Sequence, residues 1–309
     1  MSKPGYTGWY DGSPTSAGNI TLCYFNHVVN TYPSIGQDAN DPRRYTASHY
    51  IEAIGRMIEA HRSIRKDRRF IIDLPLKQVW RDENGMPVMI DDSFIERIVQ
   101  AFDDNLYIVG WYAADEPELW GHVNNWPKLD HTILGRRYDA IKRHSDIPII
   151  CVFCDHKRTF DLLFDAHVAG RRIFDIFGFD YYPYRTDRDL PVQGTTCRRS
   201  FLDKMTQLGI TYGARQILYV GQASGTADFE TREPELEEMA DLYEEWTKAV
   251  PDRMCFGFLL WAWSYASSVQ RERGNFLLDP KILTQHTLEH QPWRPPSRWR
   301  RLLCRIFNL

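Results

Sequence analysis

No apolar run in the 309 residues approaches the roughly 18 that a membrane span needs. The N-terminal stretch MSKPGYTGWYDGSP also lacks the apolar core of a secretory signal. The expectation is a soluble chain, cytoplasmic unless a leader precedes it. Charge of one sign is missing too: 38 Lys and Arg stand against 41 Asp and Glu, for a net charge of −3. That balance excludes a general nucleic-acid binder. The six cysteines, Cys23, Cys151, Cys154, Cys197, Cys255 and Cys304, do not follow the spacing of a disulfide framework, which a chain of this size does not need. Cys151 and Cys154 form a C-x-x-C, but inside the apolar run IPIICVFCD they point to opposite faces of a strand. No second cysteine or histidine pair completes a zinc site. No G-x-G-x-x-G follows the first strand, which weakens a dinucleotide-binding reading. No G-x-S-x-G offers a serine nucleophile. No cofactor or resident metal is expected.

What the chain does have is core-forming material: 43% of it is hydrophobic, with ten Trp and sixteen Tyr. Short apolar runs alternate with segments of helical period. The runs fall at YTGWYDG, ending near Asp11, then at 19–28, 68–76, 106–117, 147–155, 174–184, 216–225 and 254–266. Helical stripes recur between them over 47–66, 91–102, 129–144, 159–168, 196–208 and 234–250. Near-continuous apolar strands suit a parallel sheet buried on both faces. Eight such units predict an α/β fold, a (β/α)8 barrel over residues 1–284 as a single domain. The first connection, GSPTSAG at 12–18, is too short for a helix and predicts a modified link.

Catalytic groups of this fold come from the C-terminal ends of strands. Here those ends supply Asp11, Asn26, His27, Asp73, Asp115, Glu116, Asp155, Asp180, Tyr181, Tyr182, Gln222, Trp261 and Trp263. A loop often begins with an Asp that merely caps it, but acids recur at five of the eight expected ends. Asp115-Glu116-Pro117 is the sharpest feature. Pro117 is expected to hold Glu116 extended, and strand alternation to send Asp115 and Glu116 to different sides. Flat rings beside carboxylates suit the apolar faces of sugar rings.

The runs GWYAADEPE, DIFGFDYYPY, ILYVGQASG and GFLLWAWSYA resemble the strand ends of glycoside-hydrolase-type TIM barrels, most nearly clan A-like families with a "DEP" fourth strand. The resemblance implies a carbohydrate substrate and makes Glu116 the general acid/base, with Asp115 in place of the family's Asn. It matches Trp261 or Trp263 to the family's strand-eight Trp, and Tyr181 or Tyr182 to its strand-six Tyr. Where the family carries its nucleophilic Glu, at the end of strand seven, this chain has Gln222. Glycoside hydrolysis needs a second carboxylate, which must then come from Asp180, Asp73, Asp11 or Asp155. Asp180 ranks first because it ends strand six beside two tyrosines. Apolar and like-charged neighbours such as Trp111 and Asp115 are expected to raise the pKa of Glu116.

Two other classes remain open: a sugar-binding barrel that has lost its nucleophile, and a metal-dependent hydrolase built on His27, Asp73, His156 and Asp180. The tail, 285–309, sets five arginines among Trp293, Trp299, Leu302, Leu303, Ile306 and Phe307. It reads as an amphipathic segment that docks on the barrel, or that contacts a membrane surface or a partner.

Overall fold

The computed structural model describes residues 6–33, 46–75, 77–81, 87–121, 128–181, 195–222, 234–261 and 271. The tail at 285–309, Tyr182 and Trp263 lie outside the described residues.

Eight parallel strands close into a barrel. In chain order they are β1 (Tyr6–Tyr10), β2 (Ile20–Cys23), β3 (Arg69–Asp73), β6 (Ile108–Asp115), β7 (Ile149–Phe153), β8 (Ile176–Tyr181), β9 (Gln216–Gln222) and β10 (Cys255–Trp261). Around the barrel the order is β1-β10-β9-β8-β7-β6-β3-β2, so each strand lies beside its neighbour in sequence and the last closes on the first. The two remaining strands, β4 (Lys77–Arg81) and β5 (Pro87–Met89), form an antiparallel hairpin after β3. The segment between β3 and the next helix has no clear period, so the sequence does not announce this hairpin.

The helices are α1 (Phe25–Thr31), α2 (Ala47–Ile64), α3 (Asp92–Phe102), α4 (His131–Lys142), α5 (His156–Val168), α6 (Thr195–Thr211) and α7 (Leu236–Ala249). Their starts follow capping chemistry. Thr46, Asp91, Asp130 and Asp155 each accept a backbone N–H of the first turn. The expected stripe on α7 is buried at Met239, Tyr243 and Trp246. One predicted boundary shift bears on the site. β2 ends at Cys23 rather than 28, because Asn26 to Val29 belong to α1, an apolar run that a period-two reading absorbs into the strand. Asn26 and His27 are therefore helical residues; Asn26 is exposed and His27 half-buried.

The apolar interior has two layers. One lies between strands and helices and includes Trp9, Phe70, Trp111, Phe153, Phe177, Tyr219 and Phe258. The other fills the barrel with Tyr10, Leu22, Ile71, Tyr112, Val152, Val220 and Leu259 among others. Alternation along each strand sorts residues between them.

The short first link is possible because β1 and β2 lie very close. Thr7 and Asn19 bond to each other through the Asn19 amide at 2.8 Å and the Asn19 side chain at 3.0 Å. Gly18 turns the chain at φ 87°, and a Cβ there would meet the Thr7 carbonyl at 2.3 Å. At Gly8 a Cβ would stand 1.8 Å from the Ile20 carbonyl oxygen, a backbone atom that cannot swing aside. Gly8→Ala is therefore expected to lower stability by about 1–3 kcal/mol or more through overpacking, measured as the shift in urea midpoint at constant slope. A midpoint equal to the parent's would show that β1 and β2 can separate without cost.

The opposite end of the barrel, where the strands begin, is organised around Asp175, which is fully buried. Its carboxylate receives Lys142 Nζ at 2.9 Å, the Tyr138 hydroxyl at 3.0 Å, the Ile149 amide at 3.1 Å and Arg172 at 3.2 Å. Among the described residues no helix is long and apolar enough to cross a membrane.

Candidate active site

Strand parity decides what faces the mouth. On β9, Leu218 and Val220 point into the barrel, so Gln222 follows them. Ile176 on β8 gives the same for Asp180, Ile71 on β3 for Asp73, Val152 on β7 for Cys154, and Leu259 on β10 for Trp261. Tyr10 and Tyr24 pack into the same interior from β1 and the end of β2.

β6 breaks parity. Tyr112 points inward, yet Ala113 and Ala114 both join the outer layer. The pairing of β6 with β7 shifts register between Tyr112 and Ala114, which marks an irregularity that inserts one residue. The insertion returns Asp115 to the interior, where Tyr24 donates to Oδ2 at 2.6 Å and the Tyr112 hydroxyl donates to Oδ1. Tyr10 in turn donates to Tyr112 at 2.8 Å.

Glu116 also reaches the mouth, by a different device. The sequence reading expected an extended backbone before Pro117, but Glu116 is left-handed, with φ 43° and ψ 49°. A residue before proline is barred chiefly from the right-handed helical region, and here the chain takes the left-handed alternative to leave β6 for a short turn at Pro117–Leu119. The bulge and this turn together bring both adjacent acids to one side of the sheet, where plain alternation would have separated them.

The Glu116 carboxyl meets Asp180 and Cys154. Donor atoms of the three lie within 4.8 Å of one another. Glu116 hydrogen-bonds to Asp180, and the Cys154 thiol donates to Glu116. Burial, and then the Asp115 charge, push Glu116 up to about 7. Trp111, expected to help raise it, does not belong to this pocket. It faces the outer layer, where its indole N–H donates to Ser145 at 3.1 Å. The Cys154 thiol is held well above its ordinary range by burial and by Asp180 and Glu116, so it stays neutral.

The other acids are engaged elsewhere. Asp11 accepts the Tyr24 amide at 2.8 Å and Asp73 the Phe25 amide at 2.8 Å. The two carboxyls thus hold the start of α1 and, with it, the tyrosine that binds Asp115. Asp155 caps α5 by accepting the Arg158 amide at 2.9 Å. Tyr181 lies in the outer layer, its ring stacked on Phe201 with centroids 4.7 Å apart. Gln222 is fully buried, in register with Trp261. Tyr10, Tyr24 and Tyr112 are not among the site residues expected from the sequence, and Cys154 enters there only as half of a C-x-x-C. Tyr24 and Cys154 each follow directly on a strand end, the same signal that picked out the acids. The four donors weighed for a metal are not brought together. Among the described residues, the group of Cys, His, Asp or Glu close enough to share an ion is Glu116, Cys154 and Asp180.

Burial pushes both Asp11 and Asp73 up to about 7. A carboxyl raised in the folded state contributes stability that is complete below its unfolded pKa near 4 and is lost as pH rises through about 7. Thermal stability is therefore expected to fall between about pH 4 and 7, and Asp11→Asn with Asp73→Asn to flatten that fall. Asn keeps the amide-accepting oxygen and tolerates the left-handed backbone of Asp11, whose φ is 49°. An unchanged pH slope in the double variant would mean that neither carboxyl is neutral in the fold.

These features give the chain the architecture of a (β/α)8 TIM barrel. Among solved structures it is similar to a glucosidase from Croceicoccus marinus, with TM-score 0.57 and 10% identity over 90% of this chain and 67% of that one. It is similar also to a GH18 chitinase from Pseudoalteromonas aurantia, with TM-score 0.51 and 10% identity over 91% of this chain and 99% of that one. At such identities the likeness is one of fold. No family model and no curated protein matches the chain.

Proposed function

We propose that this protein hydrolyses a glycosidic bond in an oligo- or polysaccharide, with Glu116 as general acid/base and Asp180 as the second carboxylate. The observation that carries the reading is the pairing of these two carboxyls at the barrel mouth, with donor atoms within 4.8 Å. Among the described residues, the neighbouring acids Asp11, Asp73, Asp115, Glu118 and Asp155 are each bound to a backbone amide or a tyrosine hydroxyl, which singles out this pair.

Glu116, pushed up to about 7, keeps a proton near neutrality that it can deliver to a leaving-group oxygen. The Asp115 charge is fixed by two tyrosines and supports that state without leaving its place. A second carboxylate beside the acid either attacks the sugar directly or activates a water, and Asp180 is the carboxyl that stands in that place beside Glu116. Trp261, at the rim of the interior, offers a ring to a sugar face. Gln222, buried and bearing an amide, suits hydrogen bonding to a sugar hydroxyl.

The amide of Gln222 also favours a second reading, a barrel that holds a glycan without cutting it. A glycan array followed by long incubation with the bound ligand separates the two. Release of reducing ends supports hydrolysis, whereas tight binding with the glycan intact selects the binding barrel.

A further inference from the structure

The left-handed backbone of Glu116 is strained and persists only where its surroundings over-determine it. Its own amide is bound to the Val152 carbonyl at 2.8 Å, and its carbonyl accepts the Leu119 amide at 3.0 Å. The first bond ties Glu116 to β7, and Glu118 adds a second tie just beyond the end of that strand. This carboxylate is 6% exposed. Its Oε1 accepts the Cys154 amide at 2.6 Å, the Asp155 amide at 3.0 Å and the Thr159 hydroxyl at 3.2 Å. All three donors belong to the junction of β7 and α5. Residues 154 and 155 have left the β7 ladder and are not yet inside the helix, so their amides need an acceptor from elsewhere. The start of a helix favours a carboxylate there.

We propose that Glu118 is a positioning residue for Glu116, a buckle that ties the turn bearing Glu116 to the strand end bearing Cys154. The inference rests on the reading of Glu116 as the acid and extends it two residues along the chain. One carboxylate sets both sides of the contact. Through the chain it fixes the strained Glu116, and through two amides it fixes the residue whose thiol bonds to Glu116. The charged and titratable groups facing Glu116 are Asp115 on β6, Cys154 beyond β7, Asp180 on β8 and Glu118 itself, whose charge adds to the raising of Glu116.

The test uses the full chain with Glu118→Ala, Glu118→Gln and Thr159→Val. Three quantities are measured: the Glu116 titration by carboxyl-carbon NMR, with Glu116→Gln to assign the signal; the alkylation rate of Cys154 by N-ethylmaleimide, read by peptide mass spectrometry; and kcat separately from KM. Glu118→Ala is expected to speed alkylation of Cys154 and to lower kcat by about 10²-fold, the cost of a misplacement near 1 Å, with KM little changed. Glu118→Gln keeps an acceptor oxygen and loses the charge. It is expected to recover most of kcat and leave alkylation slow, while Glu116 titrates at lower pH. Thr159→Val, which removes one donor, moves alkylation in the same direction as Glu118→Ala and by less. Unchanged alkylation and an unchanged Glu116 titration in Glu118→Ala would overturn the proposal. Should that variant fail to fold, Glu118→Gln and Thr159→Val decide it by the same two readouts. If no glycan is cleaved by the parent, the hydrolase reading fails on its own, and the NMR and alkylation results still decide the role of Glu118.

Discussion

Glu116→Gln is expected to lower turnover of a cleavable glycan by about 10²–10⁴-fold, the contribution of one positioned general acid, while the fold remains intact. The amide keeps the size and the hydrogen-bonding capacity of the side chain and removes only its transferable proton. Stability should not suffer. Glu116 is raised to about 7, so its contribution is present below the ordinary Glu range and is lost as pH rises through about 7. Above that pH the Gln variant is expected to match or exceed the parent in thermal stability. The parent's kcat/KM should fall on the alkaline side near pH 7, as the proton leaves Glu116. Asp180→Asn should also remove most turnover, because the second carboxylate of the pair is lost. Initial rates across pH 5–9 with circular dichroism of each variant give both answers. Full activity of a folded Glu116→Gln protein on the same glycan would remove Glu116 from the chemistry.

The barrel was open to sequence reading because its signals are local and repeated. Each strand is a short apolar run, each outer helix carries its own stripe, and four helices start behind a Thr or Asp that accepts a first-turn amide. The boundaries that shifted have local causes as well. Phe25, Val28 and Val29 extend the apolar run of β2, although they belong to the next helix. The hairpin of β4 and β5 sits in a stretch without a period to announce it.

The site was less legible, because its geometry depends on exceptions to the local rules. Alternation assigns Asp115 to the outside, and only the insertion between Tyr112 and Ala114 returns it. A proline after Glu116 signals extension, and the chain uses the other permitted region instead. Acids at strand ends looked interchangeable on the page. In space, Asp11 and Asp73 hold the start of α1, Asp155 caps α5, and Asp115 anchors two tyrosines. What separates Glu116 and Asp180 from the rest is which donors the neighbouring strands supply, and that is a property of the closed barrel.

At the other end of the barrel, Asp175→Ala is expected to cost about 3–5 kcal/mol, the range for breaking a buried ion pair by removing one partner. The carboxylate is fully buried and serves several donors at once, among them Lys142 Nζ at 2.9 Å and the Ile149 amide at 3.1 Å. Its removal leaves that amide and the Tyr138 hydroxyl without their acceptor inside the protein. The surrounding cations are not equivalent to it. The Arg172 and Arg215 side chains are 40% and 66% exposed, so replacing either with Ala should cost less than about 1 kcal/mol. Burial raises the Asp175 carboxyl, but Lys142, the Ile149 amide and Tyr138 outweigh it and hold the group below its ordinary range. A carboxyl lowered in this way stabilises the fold above its unfolded pKa, and that contribution is lost as pH falls through its folded value. The gap between parent and Asp175→Ala in urea midpoint should therefore be full at pH 7 and shrink below pH 4, opposite in sign to the behaviour of Asp11 and Asp73. The folded fraction of Asp175→Ala should keep the parent's kcat, since conserving chemistry at one end and stability at the other is how this fold divides its work. A loss of kcat without loss of stability would place Asp175 in communication with the mouth.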